Sequence, residues 1–132
     1  MRLSALILLV CLTIAQSCGS KGPAEVENLH EQVMVVHDEV MPKMSDINRA
    51  KKKLRKIKDP SLNEDVLTLL TDLENADEAM MSWMHDYKKP SGEDLEAAKK
   101  YLNDQLVKIT EVKDVMLSSI ANAEKFIAEH AE

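Results

Sequence analysis

Between His30 and Met44 the chain reads HEQVMVVHDEVMPKM, placing His30, Met34, His37, Met41 and Met44 at offsets of 0, 4, 7, 11 and 14 residues. A helix with about 3.6 residues per turn gathers those positions on one side. A second run, Met80-Met81-Ser82-Trp83-Met84-His85, answers it later in the chain. Thioether sulfur and neutral imidazole together suit Cu(I) and, less well, Ag(I). A two-helix site of that kind would use His37, Met41, Met44, Met81, Met84 and His85, with copper as cofactor. One His and one Met could instead hold a b-type haem, whereas covalent c-type haem is excluded because no Cys-x-x-Cys-His occurs. The plain alternative is packing without any cofactor. Methionine is a good helix former and fills irregular gaps in a core, and His30, His37 and His85 would then be solvated borders of that core. A Met-rich surface for an apolar partner is the remaining possibility.

Those residues can meet only if helices carry them to one level. The 132 residues have room for one domain; Gly occurs three times, Pro four times, and 30% of residues are charged. Aromatics make up only 3%, so apolar area must come from Leu, Val, Ile and Met, which favours long helices packed side by side. Val26, Leu29, Val33, Val36, Val40, Ile47, Ala50, Leu54 and Ile57 recur at helical spacing, interrupted by Lys43, and predict a helix over about 24–58. Pro42 withholds an N–H from the carbonyl of Asp38 and predicts a kink rather than a stop, because the apolar register carries through it. Asp59-Pro60-Ser61 is a turn, with Ser61 and Glu64 forming a capping box. Leu62, Val66, Leu69, Leu73, Ala76, Met80, Trp83 and Tyr87 then predict a helix over 61–89. Lys89-Pro90-Ser91-Gly92 ends it, Ser91 and Asp94 resemble a weaker capping box, and a third seam from Leu95 to Phe126 predicts a helix over 92–130. Short turns give an all-α, elongated, coiled-coil-like antiparallel bundle of three helices, up-down-up, spanning 24–132. Folding at Asp59-Pro60 brings Met34 level with His85, His37 with Ser82 and Met41 with Glu78.

The end of the first helix is basic, with Arg49, Lys51, Lys52, Lys53, Arg55, Lys56 and Lys58 within ten residues. Two roles are open: cations complementing the helix dipole and balanced by Glu64, Asp65 and Asp72, or a docking patch of Arg49, Lys52, Lys53, Arg55 and Lys56 for an acidic partner. Enzymatic chemistry finds little support. Glu27-x-x-His30 matches half of a di-iron carboxylate motif but has no second copy, the three glycines build no phosphate loop, and the Ser and His spacing assembles no triad.

Residues 1–17 have the organisation of a secretory signal: Arg2, an apolar run from Leu3 to Ile14 too short to span a bilayer comfortably, and Ser17 before Cys18. Ala15-Gln16-Ser17-Cys18 resembles the lipobox of bacterial lipoproteins, with Ala where that family usually has Leu and Gln where it usually has a small residue. The resemblance implies a diacylglycerol on Cys18, cleavage before it, and a tether over 18–23; the plain alternative is an ordinary secreted protein cut after Ser17. Gly19, rather than Asp, implies outer-membrane sorting, with the protein held at the cell envelope facing the periplasm. Loss of residues 1–17 removes Arg2 and takes the net charge from −6 to −7, which with export argues against a nucleic-acid partner. His37 to Met44 together with Ala76 to Met84 look like a group of small envelope lipoproteins labelled "viral A-type inclusion protein", which implies a helical lipoprotein without assigned activity. The expected role is therefore a non-enzymatic structural or interaction bundle, with an envelope protein or a second copy of the chain as partner.

Overall fold

The computed structural model describes residues 21–130. The signal segment, Cys18 and the first part of the tether lie outside the described residues. Four α-helices and one 3-10 turn make up the described chain: α1 Lys21–Val40, α2 Lys43–Leu54, the 3-10 turn Pro60–Leu62, α3 Asn63–Asp86 and α4 Leu95–His130. The fold is all-helical, with no strand among the described residues. Helix α4 packs against α1, α2 and α3, and α2 also packs against α3. No helix among the described residues is long and apolar enough to cross a membrane.

Heptad spacing explains the first arm. Val26, Val33, Val40, Ile47 and Leu54, each seven residues after the last, are all buried, although α1 and α2 are separate helices. The helix expected over 24–58 is therefore divided and shortened. Met41 N–H still donates to the His37 carbonyl at 2.9 Å, but Pro42 has no proton to donate to Asp38. Met44 and Ser45 then donate three residues back, to Met41 and Pro42, each at 3.2 Å. Helix α2 ends at Leu54, where Lys56 and Ile57 turn to three-residue bonds with Lys53 and Leu54. At the other end α1 begins at Lys21, inside the expected tether. Gly22 sits so close to Leu95 that an added Cβ would lie 2.6 Å from its Cδ1. Pro23 falls in the first turn, where its missing N–H has no helical partner to lose.

Both expected capping boxes are replaced by aspartates. Asp59 accepts from the Ser61 N–H at 2.9 Å and from its hydroxyl at 2.7 Å, so Ser61 serves as donor and does not cap α3. Asp94 accepts from the Ala97 N–H at 3.0 Å and caps α4 directly. Helix α3 ends at Asp86 because Tyr87 turns extended, and Gly92 takes φ +79°, a left-handed conformation that favours glycine.

Ion pairs fix the register along α4. Glu25 meets Lys99 at 2.7 Å and Glu39 meets Lys113 at 2.6 Å, the same 74-residue offset in both. The core between the arms is Leu73, Ala76, Met80 and Trp83 of α3 with Ala98, Leu102, Ile109, Met116, Ile120 and Ala123 of α4. Gln105 and Ser119 are buried among these, so the seam of α4 drifts off the Leu106 and Val112 positions, which are only half-buried.

Candidate functional sites

Two regions concentrate the polar chemistry, and the first is the methionine and histidine region. Helical phase decides where its residues go. Met80 and Trp83, three apart on α3, face the core, and Met84 packs beside them. Met81 lies about 100° further round the helix than Met80 and is 54% exposed. His85 is further from the core still: its side chain is 88% exposed and pairs with its neighbour Asp86 at 2.9 Å. On the facing helix the His37 side chain is 17% exposed and hydrogen-bonds Asp38 at 2.8 Å. Met41 and Met44 pack against the core beside the break at Pro42. The structure thus puts Met41, Met44 and Met84 in the packing, His37 at its edge, and Met81 and His85 outside it. Among the described residues, no three His, Cys, Asp or Glu side chains gather as a metal cluster.

Rings occupy the space between α1 and α3. The Trp83 ring lies 5.6 Å from His37 and 4.9 Å from Tyr87, and Tyr87 in turn lies 6.1 Å from His30 and 6.2 Å from Tyr101. His30 Nδ1 and the Tyr87 hydroxyl share a hydrogen bond of 2.6 Å, while the Tyr101 hydroxyl accepts from the Lys88 N–H at 2.9 Å. Burial among these groups pushes the Tyr87 phenol up, and the neighbouring Tyr101 and Glu27 push the same way. The Trp83 Nε1–H is buried without a protein partner, which costs about 1–3 kcal/mol. Around the ring cluster, Lys89 pairs with Glu27 at 2.9 Å and holds its carboxyl below the usual range. The expected level of His37 with Ser82 is one residue from the observed contact with Trp83.

The second region is basic. Arg49 pairs with Asp46, whose carboxyl is held low by Lys43 and then Arg49. Lys51 reaches Asp77 at 3.5 Å and Arg55 reaches Glu74 at 3.4 Å. The expected counter-charges Glu64, Asp65 and Asp72 take no part, and Lys52, Lys53, Lys56 and Lys58 form no ion pair among the described residues. Lys52 and Lys53 stand in the last turn of α2, whereas Arg55 to Lys58 lie beyond its end at Leu54. Glu64 and Asp65 stand in the first turn of α3, where the helix dipole favours them.

A cleft of about 730 Å³ opens beside these lysines. Its lining combines Lys53, Lys56, Ile57, Lys58, Asp59, Leu62, Ile127 and His130. Sequence reasoning found the basic run but missed the cleft, because Ile127 and His130 come from the far end of α4. The only signal was that the apolar seam continues to Ile57 while the helix-forming pattern gives way to Asp59-Pro60.

Comparison of the chain with protein-family models, curated proteins and solved structures found no match in any of the three.

Proposed function

We propose that this chain is a lipid-anchored protein of the bacterial cell envelope, held by acylated Cys18 at the outer membrane and facing the periplasm, where it acts as a non-enzymatic interaction bundle. The observation that carries this function is the cationic end of α2 in an acidic chain. Lys52, Lys53, Lys56 and Lys58 are exposed and unpaired among the described residues, so their charge is available to an acidic partner. The anchor is supported by the lipobox-like residues 15–18. The architecture belongs to the same proposal: an up-down-up bundle whose first arm, α1 with α2, is one rod kinked at Pro42. Constant offset to α4 on the Glu25 and Glu39 pairs supports a parallel first and last arm, and the unbroken heptad from Val26 to Leu54 supports a kink over a stop. At about 1.5 Å per residue, the 36 residues of α4 would hold the basic end about 50 Å from its start. The methionines serve as packing in this proposal, and no metal is required.

One experiment tests both halves. The full chain is expressed with a photo-crosslinking residue at position 52 and labelled with a palmitate analogue. Label should disappear in Cys18→Ala, and position 52 should give a discrete adduct that is lost with Lys53→Glu and Lys56→Glu. Label that persists in Cys18→Ala refutes the anchor. Adducts at position 52 no different from those at Asn103, on the other half of α4, refute the docking surface.

A further inference from the structure

We propose that the cleft beside the basic run binds a single-chain anionic amphiphile, chemically a long-chain carboxylate. This rests on the assignment of the basic end as a binding surface and names what it takes. The cleft forms where α2, the linker to α3, the 3-10 turn and the last turn of α4 meet. Its floor is aliphatic: Ile57, Leu62 and Ile127 are each half-buried, lying where the core seam runs out and no further element among the described residues covers them. Its rim is cationic, from Lys53, Lys56 and Lys58, none of which forms an ion pair among the described residues. The one carboxylate in the lining, Asp59, is already occupied. It accepts both the N–H and the hydroxyl of Ser61, which hold its pKa low. His130 is likewise engaged, its Nδ1 sharing a hydrogen bond of 2.9 Å with the Phe126 carbonyl. Three free ammonium groups around an apolar floor match a carboxylate head on an alkyl tail.

Size and composition favour this occupant over others. The cleft falls within the range of about 300–1,000 Å³ usual for small-molecule sites. A docked acidic helix needs apolar anchors over two turns, along about 10 Å of groove, whereas the floor offers three side chains. A nucleotide would want a free aromatic surface to stack on, and the one ring in the lining, His130, is already packed against Phe126 with centroids 4.3 Å apart, while Trp83, Tyr87 and Tyr101 are in the other region. Each methylene buried on the floor should raise affinity about fourfold.

Binding is measured by isothermal titration of laurate, below its micelle concentration, into the full chain carrying Cys18→Ala so that no acyl group is attached to it. One laurate should bind per chain. Butyrate, with the same head and no tail, and dodecyltrimethylammonium, with the same tail and opposite charge, should each bind about tenfold or more weakly. Lys53→Gln with Lys56→Gln, both at exposed positions, should weaken laurate about tenfold while leaving the helical circular dichroism unchanged. No saturable laurate binding, equal binding of the cationic amphiphile, or an unchanged affinity in the double variant overturns the proposal. A glutamate-rich peptide that displaces laurate at lower concentration than laurate itself would assign the cleft to a protein partner and also overturn it. Adducts at position 52 that survive a laurate failure would leave the docking surface standing without its acyl ligand.

Discussion

Adjacent methionines on α3 separate packing from ligation. Met80 is fully buried and Met81 is 54% exposed. Met80→Ala removes the sulfur and two carbons from a closed core, which costs about 2–5 kcal/mol for substitutions of this kind. A chain of this size has a total stability of roughly 5–15 kcal/mol, so the upper part of that range leaves little fold. A loss of 1 kcal/mol lowers Tm by about 3–5 °C in a domain of this length, so the expected fall is roughly 6–25 °C. Met80→Leu keeps volume and apolar character and should cost less than about 1.5 kcal/mol. Met81→Ala should change stability by no more than about 0.5 kcal/mol, since the side chain loses little contact and alanine is the better helix former. Urea titrations followed by circular dichroism measure all three, with an unchanged slope confirming that the same surface is exposed on unfolding. Equal losses in Met80→Ala and Met81→Ala would falsify the assignment of the two side chains. The same variants address copper. If packing is the role, Cu(I) added under reducing conditions with a competing chelator should not be retained, in the parent chain or in His37→Ala with Met84→Ala. Stoichiometric Cu(I) that disappears in Met81→Ala without a stability change would refute packing as the purpose of the cluster and restore the six-residue site.

Two further outcomes follow from the ring cluster and the linker. The Tyr87 phenol is raised above its free value of about 10, so its share of stability is whole below that pH and is lost as pH rises through the folded value; Tyr87→Phe should flatten this alkaline decline in a pH series of urea midpoints, and an equally steep decline in the variant would show that other groups cause it. Gly92→Ala should destabilise by about 1 kcal/mol, because φ +79° is strained for alanine although nothing lies within 4 Å of the added methyl; no change in the thermal midpoint would mean that the linker relaxes to another conformation.

Periodicity made the arms legible. The seam from Val26 to Leu54 is buried at every seventh position, and nearly every apolar position read as core is either buried or packed against the core. The helix ends were not legible, because the aspartates at 59 and 94 cap through their own local turns, whereas Ser61 and Ser91 offered equally plausible caps in sequence. The level of one helix on another was legible only in part. His37 meets Trp83 close to its expected partner, but Lys51 reaches Asp77, nine residues beyond the Thr68 that the same offset gives it. One offset presumes straight helices of equal rise joined at Asp59-Pro60, and the early end of α2 removes that condition.

The same phase logic redraws the candidate sites. Spacings of four and seven put His37, Met41 and Met44 on one stripe, but a six-residue set also needs Met81, Met84 and His85 to share one. They do not: relative to the buried Met80, Met84 lies about 40° round the helix, Met81 about 100° and His85 about 140°. A core-facing helix hides only part of its circumference, which is why Met84 packs and the other two reach solvent. Charge behaves in the opposite way. A basic run can be balanced in sequence and unbalanced in space, since long side chains pair with whatever the packing puts near them. Here the packing gives Asp46, Glu74 and Asp77 to Arg49, Arg55 and Lys51. Lys53, Lys56 and Lys58 are left around an aliphatic floor with no ion pair among the described residues, the one carboxylate of the lining, Asp59, being bonded to Ser61. Of the two regions, the methionine and histidine one places Met41, Met44 and Met84 in the packing and Met81 and His85 at the surface, and the basic one holds lysines that form no ion pair among the described residues.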